Sequence, residues 1–191
     1  MGLILGVDEA GRGPLAGPVA VGIVAVPCNF IISREFPGLA DSKQMSPTAR
    51  EKMFRILQKR RQQGDIQFCV RCTGAKRIDD WGLTRAVISA VARGVYFLAP
   101  EPDGISIYLD GLLKAPSEYN QQTIIGGDEA VPVIALASIA AKVMRDRLMT
   151  RIAKQFPEYG FEKHKGYGTQ EHYAALKKYG PCILHRRSFL H

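Results

Sequence analysis

Short apolar runs that stop at glycine or at an acidic residue divide this chain into segments of strand length. Leu3–Val7 and Val19–Val26 are two such runs, Ile66–Thr73 alternates apolar and polar residues, and Ile105–Leu109 is a further run. Strands that are buried in a sheet have this length and composition. Because helical patterns are interleaved after the first two strands, the order predicts an α/β domain with a mixed sheet.

Helical patterns occupy much of the remaining chain. A helix is predicted over 46–63, where a serine N-cap precedes a proline, and another over about 79–98. A long helix is predicted over 132–156, with small residues in its first half, and a last one over 169–178, capped by a threonine. No linker or repeat divides the sequence, so a single domain is expected over residues 1–191.

Charge is distributed unevenly along the sequence. The chain has 26 Lys and Arg against 18 Asp and Glu, a formal net charge of +8. Residues 142–191 hold 11 of the basic and only 4 of the acidic residues, so we expect a basic, helical C-terminal region there. Clustered cations favour a polyanionic partner, although a solvated basic face that aids solubility has the same composition.

The sequence shows no membrane or export segment. The apolar start Leu3–Val7 stops at Asp8, which is too short for a signal-peptide core or a spanning helix. Cys69 and Cys72 have the spacing of a metal knuckle, but no second pair completes a zinc site. Reduced structural thiols and a cytoplasmic location are therefore expected.

Acidic residues mark the ends of two predicted strands. Asp8 and Glu9 follow the first strand, Asp110 follows the fourth, and turns that contain glycine come next in both places. Open α/β sheets bind their ligands at this edge. An aspartate after a strand also commonly just forms a turn, which would be the preferred interpretation for Asp110 alone.

Three further acids are candidates for completing the cluster: Asp128, Glu129 and Asp146. Asp146 lies four residues after Lys142, and a plain helical ion pair explains that spacing, so the pattern leaves its role open. Carboxylates repel a phosphate backbone unless hard divalent cations lie between them. Acids beside a basic region therefore indicate a metal-dependent nuclease or polymerase, in which two ions can serve an in-line displacement.

Six motifs make a family resemblance specific. In chain order they are Asp8-Glu-Ala-Gly-Arg-Gly-Pro14, Asp41-Ser42-Lys43, Asp110-Gly111, Ala137-Ser-Ile-Ala-Ala-Lys142 with Arg145-Asp146-Arg147, Gly166-Tyr167-Gly168-Thr169, and His185-Arg-Arg-Ser-Phe189. Together they resemble ribonuclease HII, the type 2 ribonuclease H, over nearly the whole chain. The resemblance implies an RNase H-like α/β fold, a mixed β-sheet flanked by helices with a helical C-terminal extension.

The resemblance also implies a metal site and its ligands. Hydrolysis in this family depends on Mg²⁺ or Mn²⁺, with two ions expected during catalysis. The metal-binding, catalytic carboxylates correspond to Asp8, Glu9, Asp110 and Asp146.

Substrate-binding residues follow from the same resemblance. The turn Gly11-Arg12-Gly13 matches the segment whose backbone reads the ribose 2′-hydroxyl. Lys43 matches a phosphate-contacting lysine, with Ser42 beside it in the substrate-binding set, and Tyr167 matches the tyrosine that meets the sugar next to the scissile bond. Arg186 and Arg187 could equally be a solvated pair near the C-terminus.

The implied activity is endonucleolytic. The expected cut is 5′ to a ribonucleotide within duplex DNA, RNA of RNA–DNA hybrids is also cut, and the products carry 5′-phosphate and 3′-hydroxyl groups. Such a monomeric enzyme would remove misincorporated ribonucleotides and RNA primers. Two alternatives stay open, a type 1 ribonuclease H, which needs a run of ribonucleotides, and a catalytically silent nucleic-acid-binding module.

Two places depart from the expected family pattern. Gly126-Gly127 stands where a lysine is expected before Asp128, and Trp81-Gly82 lies within a predicted helix. A glycine inside a helix costs about 1 kcal/mol relative to alanine, so local stability is expected to suffer at Gly82.

Overall fold

The computed structural model describes residues 2–39 and 45–190. One mixed sheet contains five strands, which are β1 (Leu3–Ala10), β2 (Val19–Pro27), β3 (Gln67–Thr73), β4 (Ile105–Asp110) and β5 (Asn120–Ile124). Their spatial order is β3-β2-β1-β4-β5. The pairs β1–β2 and β2–β3 are antiparallel, whereas β1–β4 and β4–β5 are parallel. The prediction of an α/β domain with a mixed sheet is confirmed.

Helices cover both faces of the sheet and form the C-terminal part. In the described part of the chain they are α1 (Ile32–Glu35), α2 (Pro47–Gln62), α3 (Ala75–Trp81), α4 (Leu83–Leu98), α5 (Gly127–Ala130), α6 (Pro132–Ala153), α7 (Phe161–His164) and α8 (Gln170–Tyr179). Both predicted caps are present, because Ser46 Oγ accepts from the Ala49 N–H and Thr169 Oγ1 from the His172 N–H. Among residues 2–39 and 45–190, no helix has the length and apolar character needed to cross a membrane.

Two glycines let α6 lie directly on the sheet. A Cβ at Gly6 of β1 would overlap the carbonyl of Val133, and one at Gly22 of β2 would overlap the carbonyl of Ala137. The backbone of α6 therefore approaches the strands as closely as main chains permit, as its small residues predict. The opposite face, which includes Leu5, packs against α4 in a separate apolar cluster.

The observed elements differ from the predicted ones at three places. The helix predicted over 79–98 is two helices, divided at Gly82, whose φ is +79°. β1 continues to Ala10 because it stays paired with β2, so Asp8 and Glu9 lie inside the strand rather than after it. β5 was not predicted, since its sequence is polar and only one of its edges is paired.

A third apolar cluster joins the C-terminal helices to the segment after β1. Ala16 packs there with Met149 of α6, with Phe161 of α7 and with Ala175 of α8. An isolated antiparallel bridge pairs Ala16 with His185. The C-terminal region is therefore anchored beside the glycine turn that follows β1.

Candidate active site

The strand register brings two of the predicted acids together. In the parallel pair of β1 and β4, Val7 lies opposite Leu109, and Asp8 and Asp110 are the next residues on each strand. Neighbouring strands lie about 4.8 Å apart, so the two carboxylates leave adjacent positions of the sheet. Asp8 is 5% exposed and hydrogen-bonds to the Ser138 side chain of α6.

Burial and neighbouring charges change the pKa of Asp8 and of Glu9. Burial, together with the charges of Glu9 and Asp110, raises the pKa of Asp8 to about 7, although hydrogen bonds from Ser138 and from the Glu9 N–H oppose the shift. Burial also raises the pKa of Glu9, against the pull of Arg12, whose Nη1 lies 3.1 Å from Glu9 Oε1. Negative charge is therefore concentrated at the end of β1 in a poorly solvated place.

The loop that follows β5 is fastened to Asp110. The backbone N–H of Gly127 donates to Asp110 Oδ1 over 2.7 Å. Gly126 precedes it with φ +67°, and a Cβ at Gly127 would press against the Ile134 side chain. The two glycines in the place of the expected lysine thus permit a tight turn, and Asp128, the next residue, lines the cavity at this edge of the sheet.

A cavity of about 390 Å³ opens at this edge of the sheet. Its lining includes two acids, the glycine turn with its arginine, Tyr167 and two further cations: Glu9, Asp128, Gly11, Arg12, Gly13, Tyr167, Arg50 and Lys142. Sequence reasoning missed Arg50, which lies on α2 like many solvated arginines, and no pattern in the sequence distinguishes it.

Asp146 occupies a different position from the other predicted carboxylates. It lies on α6 eight residues after Ser138, which is about 12 Å further along the helix axis. Its Oδ1 is 3.0 Å from Lys142 Nζ, and of the four predicted carboxylates only Glu9 lines the cavity. Of the acids that the sequence left open, the structure brings Asp128 to the cavity and leaves Asp146 in a helical ion pair.

Arg186 holds the glycine turn from behind. Its side chain is fully buried, and it donates to the carbonyl oxygens of Gly11 (2.7 Å), Arg12 (2.7 Å) and Gly17 (2.9 Å). The N–H of a trans peptide points opposite to its carbonyl, so these contacts turn the Arg12 and Gly13 N–H groups away from Arg186. The interpretation of Arg186 as a solvated residue is wrong, whereas Arg187 is exposed.

Arg145 also holds backbone segments next to the site. It is also fully buried, and it donates to the carbonyl oxygens of Pro18 (2.9 Å) and Lys165 (3.0 Å). It thereby ties the segment after β1 to the loop that carries Tyr167. A Cβ at Gly11 would overlap the Arg145 side chain, which explains why this turn needs glycine.

The Tyr167 loop is pinned to the same segment. Gly166 has φ +87°, and its carbonyl accepts from the N–H groups of Leu15 (2.9 Å) and Ala16 (3.2 Å). A Cβ at Gly166 would overlap the Ala16 carbonyl. Tyr167 itself is 42% exposed and lines the cavity, so its backbone is fixed while its ring is accessible.

Comparison with known proteins places this fold and this arrangement of residues in one family. The family model for ribonuclease HII matches residues 5–191. The chain belongs to the ribonuclease HII family. Ribonuclease HII of Endomicrobium trichonymphae is 45% identical over 188 residues, which cover 97% of this chain and 84% of that protein. The predicted class of enzyme, a type 2 ribonuclease H endonuclease, is confirmed, and the type 1 and non-catalytic alternatives are not.

Solved structures agree on the fold. The ribonuclease H2 of Pyrococcus horikoshii OT3 superposes with a TM-score of 0.78 at 26% identity, covering 97% of this chain and 93% of its own. Bst-RNase HIII, solved in complex with Mn²⁺, has a TM-score of 0.73 at 18% identity, with 98% of this chain and 67% of that one covered. The predicted RNase H-like sheet with a helical C-terminal extension is confirmed.

The described acids of this protein do not form a closed set of metal ligands in the structure. Among the described residues, no three Asp, Glu, His or Cys side chains come close enough together to hold a metal ion as they stand. The donor set nevertheless suits a hard divalent cation, because Glu9 Oε2 is buried without a hydrogen-bond partner and Asp8 is crowded by acids. Ser42 and Lys43 lie outside the described residues.

Proposed function

We propose that this ribonuclease HII is a divalent-metal-dependent endonuclease that cleaves the phosphodiester 5′ to a ribonucleotide in duplex DNA. It also cleaves the RNA of RNA–DNA hybrids and leaves 5′-phosphate and 3′-hydroxyl ends, as the removal of misincorporated ribonucleotides and RNA primers requires. The observation that carries the proposal is the cavity itself. One opening of about 390 Å³ is lined by Glu9 and Asp128, by the glycine turn and by Tyr167, and Asp8 precedes Glu9 on β1 with Asp110 beside it on β4.

Asp8, Glu9 and Asp110 are the metal-binding carboxylates of the proposal. Their oxygens are the ligands that Mg²⁺ and Mn²⁺ prefer, and the crowding of their charges favours a cation between them. Bound ions would activate the attacking water and stabilise the leaving oxygen. The Mn²⁺ in the structure of Bst-RNase HIII, a protein of the same fold, is consistent with this choice of ions.

For the fourth carboxylate we favour Asp128 over Asp146. Asp128 lines the cavity and directly follows Gly127, which is bonded to Asp110. Asp146, the residue that the family resemblance suggests, forms an ion pair with Lys142 instead. The role that suits Asp146 is to orient the Lys142 ammonium group at the cavity wall, where it faces a substrate phosphate.

Ribose recognition falls to the backbone of the glycine turn. Because Arg186 takes the carbonyls of Gly11 and Arg12, the N–H groups of Arg12 and Gly13 are left to face a substrate. A 2′-hydroxyl both donates and accepts hydrogen bonds, and it is the group that distinguishes RNA from DNA. Because its peptide plane is fixed, such an N–H group cannot turn toward another acceptor. A deoxyribose, which lacks the 2′-hydroxyl, would therefore leave it without a partner.

Cations and an aromatic ring complete the substrate surface. Lys142 Nζ and the Arg145 guanidinium carbon each lie 5.8 Å from the centre of the Tyr167 ring, and Arg50 lines the same cavity. Positive charge beside an exposed ring suits a sugar flanked by phosphates. The basic region 142–191 would extend this attraction along the duplex.

A DNA duplex with one embedded ribonucleotide tests the proposal. With Mg²⁺ or Mn²⁺ the wild-type enzyme should nick the strand 5′ to that ribonucleotide, and end mapping should find a 5′-phosphate and a 3′-hydroxyl. Asp110→Asn, in which only the charge is removed, should lower the rate by more than a hundredfold at unchanged duplex affinity. Cleavage of hybrids alone, or a cut on the other side of the ribonucleotide, would contradict the proposal.

A further inference from the structure

Three histidines are buried beneath the Tyr167 loop, although no step of the proposed hydrolysis uses them. His164, His172 and His185 are 9%, 0% and 2% exposed. The rings of His164 and His172 stack with their centres 4.5 Å apart, and the Nε2 atoms of His172 and His185 are 3.0 Å apart. Two ring nitrogens at that distance share one proton, so their hydrogen-bond partners decide where it lies.

The partners of His185 fix the position of its proton. The backbone N–H of Cys182 donates to His185 Nδ1 over 2.9 Å, so this nitrogen carries the lone pair and Nε2 carries the hydrogen. The Cys182 sulfur also lies 3.2 Å from Nδ1. Burial raises the pKa of the Cys182 thiol, so the sulfur keeps its proton and is a second donor to the same nitrogen.

The proton position on His172 follows from this assignment. His185 Nε2–H donates to His172 Nε2, so the hydrogen of His172 is on Nδ1. That nitrogen lies 2.9 Å from the carbonyl oxygen of Tyr167 and donates to it. The result is a directed chain from the Cys182 N–H through two neutral imidazoles to the Tyr167 carbonyl. Burial lowers the pKa of both rings, helped by the charge of His164 at His172 and by that of His172 at His185, and this keeps both rings neutral.

Both backbone polar groups of Tyr167, its N–H and its carbonyl, are held by hydrogen bonds that include this cluster. Its N–H donates to the carbonyl of His164 over 2.9 Å, while its own carbonyl accepts from His172 Nδ1 and from the Thr169 N–H. Gly166 and Gly168 on either side contribute no side chain that could hold the loop. The orientation of the tyrosine ring toward the cavity therefore depends on backbone contacts, these together with the hydrogen bonds of Gly166 to Leu15 and Ala16.

We propose that His172 and His185 are positioning residues for substrate recognition, which form a hydrogen-bonded relay from Cys182 that orients Tyr167 toward the ribonucleotide. The inference depends on the proposed function in one respect, since it takes Tyr167 to be the side chain that meets the sugar. Neither histidine touches the substrate, and their effect passes through the Tyr167 carbonyl. The competing account is that the rings only fill space beside Tyr159 and Phe161, whose ring centres lie 4.9 and 5.7 Å from that of His185.

Two amide substitutions at His185 separate these accounts. In His185→Gln the side-chain amide reaches the place of Nε2 and can still donate to His172. In His185→Asn the shorter amide reaches only the place of Nδ1, where it can accept from Cys182 but cannot reach His172. Both variants are neutral and polar, but asparagine is the smaller, so a space-filling role predicts losses of activity that follow the losses of Tm.

The measurement is kcat and KM on a duplex with one embedded ribonucleotide, with Tm as the measure of folding. The relay predicts that His185→Asn lowers kcat/KM at least tenfold more than His185→Gln at similar Tm values. Equal losses, or losses that follow Tm, overturn it. Nitrogen-15 NMR of the wild-type imidazoles gives a second test, which should find His185 protonated on Nε2 and His172 on Nδ1; the opposite assignment also overturns the relay.

Tyr167→Ala separates failure of the relay from failure of the proposed function. If it lowers kcat/KM and His185→Asn adds nothing in the double variant, the two residues act through one path, as the relay requires. If Tyr167→Ala is impaired but His185→Asn is not, the relay is wrong while the role of Tyr167 stands. An unimpaired Tyr167→Ala enzyme contradicts the role of Tyr167 and, with it, the relay.

Discussion

Arg145 and Arg186 are buried so close together that the charge of Arg145 adds to the burial that lowers the pKa of Arg186 to about 10. Backbone carbonyls accept hydrogen bonds from both guanidinium groups in place of water, which offsets part of the cost of burying them, although Arg145 Nη1 is buried without a partner among the described residues. Two consequences follow for the site. The carbonyl dipoles of the glycine turn point inward, and two positive charges lie behind the surface that we propose binds a polyanion.

The fourth carboxylate can be identified by the response of folding to Mn²⁺. An ion that binds only the folded state stabilises it, by about 2.7 kcal/mol at a hundred times its Kd. We expect Mn²⁺ to raise the Tm of the wild-type protein and of Asp146→Asn, and to have a much smaller effect on Asp128→Asn. The reason is that Asp128 lines the cavity while Asp146 is bonded to Lys142.

Each variant is the control for the other, because both replace an aspartate by its uncharged isostere on a helix. Thermal unfolding at Mn²⁺ concentrations from zero to several millimolar gives the comparison. A loss of the Mn²⁺ effect in Asp146→Asn, with the effect retained in Asp128→Asn, would restore Asp146 as the ligand. If the wild-type Tm does not move at all, the acids do not share an ion.

At the scale of elements, the break between α3 and α4 reverses the expectation that Gly82 lowers the stability of the protein. Its backbone has φ +79° and ψ 151°, a region that is almost confined to glycine, and no atom lies within 4 Å of the place of a Cβ. Gly82→Ala should therefore destabilise the protein by about 1–3 kcal/mol through backbone strain alone. A glycine inside a continuous helix predicts the opposite, a gain of about 1 kcal/mol.

Chemical denaturation of Gly82→Ala decides the sign. Gly13→Ala is a suitable control, since Gly13 also has open space at its Cβ but a φ outside the left-handed region. We expect that substitution to change the free energy of unfolding by less than about 0.5 kcal/mol. A stabilised Gly82→Ala protein would show that α3 and α4 join into one helix in solution.

The elements that the sequence predicts are those whose burial leaves a pattern. β1, β2 and β4 are apolar because they lie in the middle of the sheet, and the serine and threonine caps act over three residues. The polar edge strand β5 and the division at Gly82 leave no such pattern, since pairing and φ are set by the rest of the fold. The spacing of apolar residues suggests one helix over 79–98, whereas the backbone conformation of Gly82 divides it into α3 and α4.

The same distinction applies to the site. Asp8 and Asp110 were predicted at the ends of strands, and their adjacency follows from the parallel register. The place of Asp128 depends on a bond between Gly127 and Asp110, seventeen residues apart in the chain, and that of Arg186 on contacts across more than 160 residues. Local patterns carry no information about such contacts, so a buried arginine was indistinguishable from a solvated one.

At the scale of the whole molecule, the division of charge follows the division of the fold. The sheet edge collects the acids, whereas residues 142–191 hold 11 basic and 4 acidic residues. The basic region also supports the glycine turn and the Tyr167 loop, through Arg145, Arg186 and the buried histidines. The surface proposed to bind the duplex and the supports of the turn proposed to read the ribose are thus one structural unit, whose integrity can be measured through folding.

The pH dependence of the free energy of unfolding provides that measurement, because His185 is buried in this unit. Burial and the neighbouring His172 lower its pKa to about 4 in the folded protein, against about 6.5 in an unfolded chain. Between these values the unfolded state binds more protons, so this residue's contribution is present above pH 6.5 and is lost as the pH falls. From pH 7.5 to 5 the wild type should lose about 2 kcal/mol relative to His185→Gln in denaturant unfolding. Shifts of other groups, such as the opposite one of Asp8, are common to both proteins and cancel. Parallel stability curves would show that His185 is solvated.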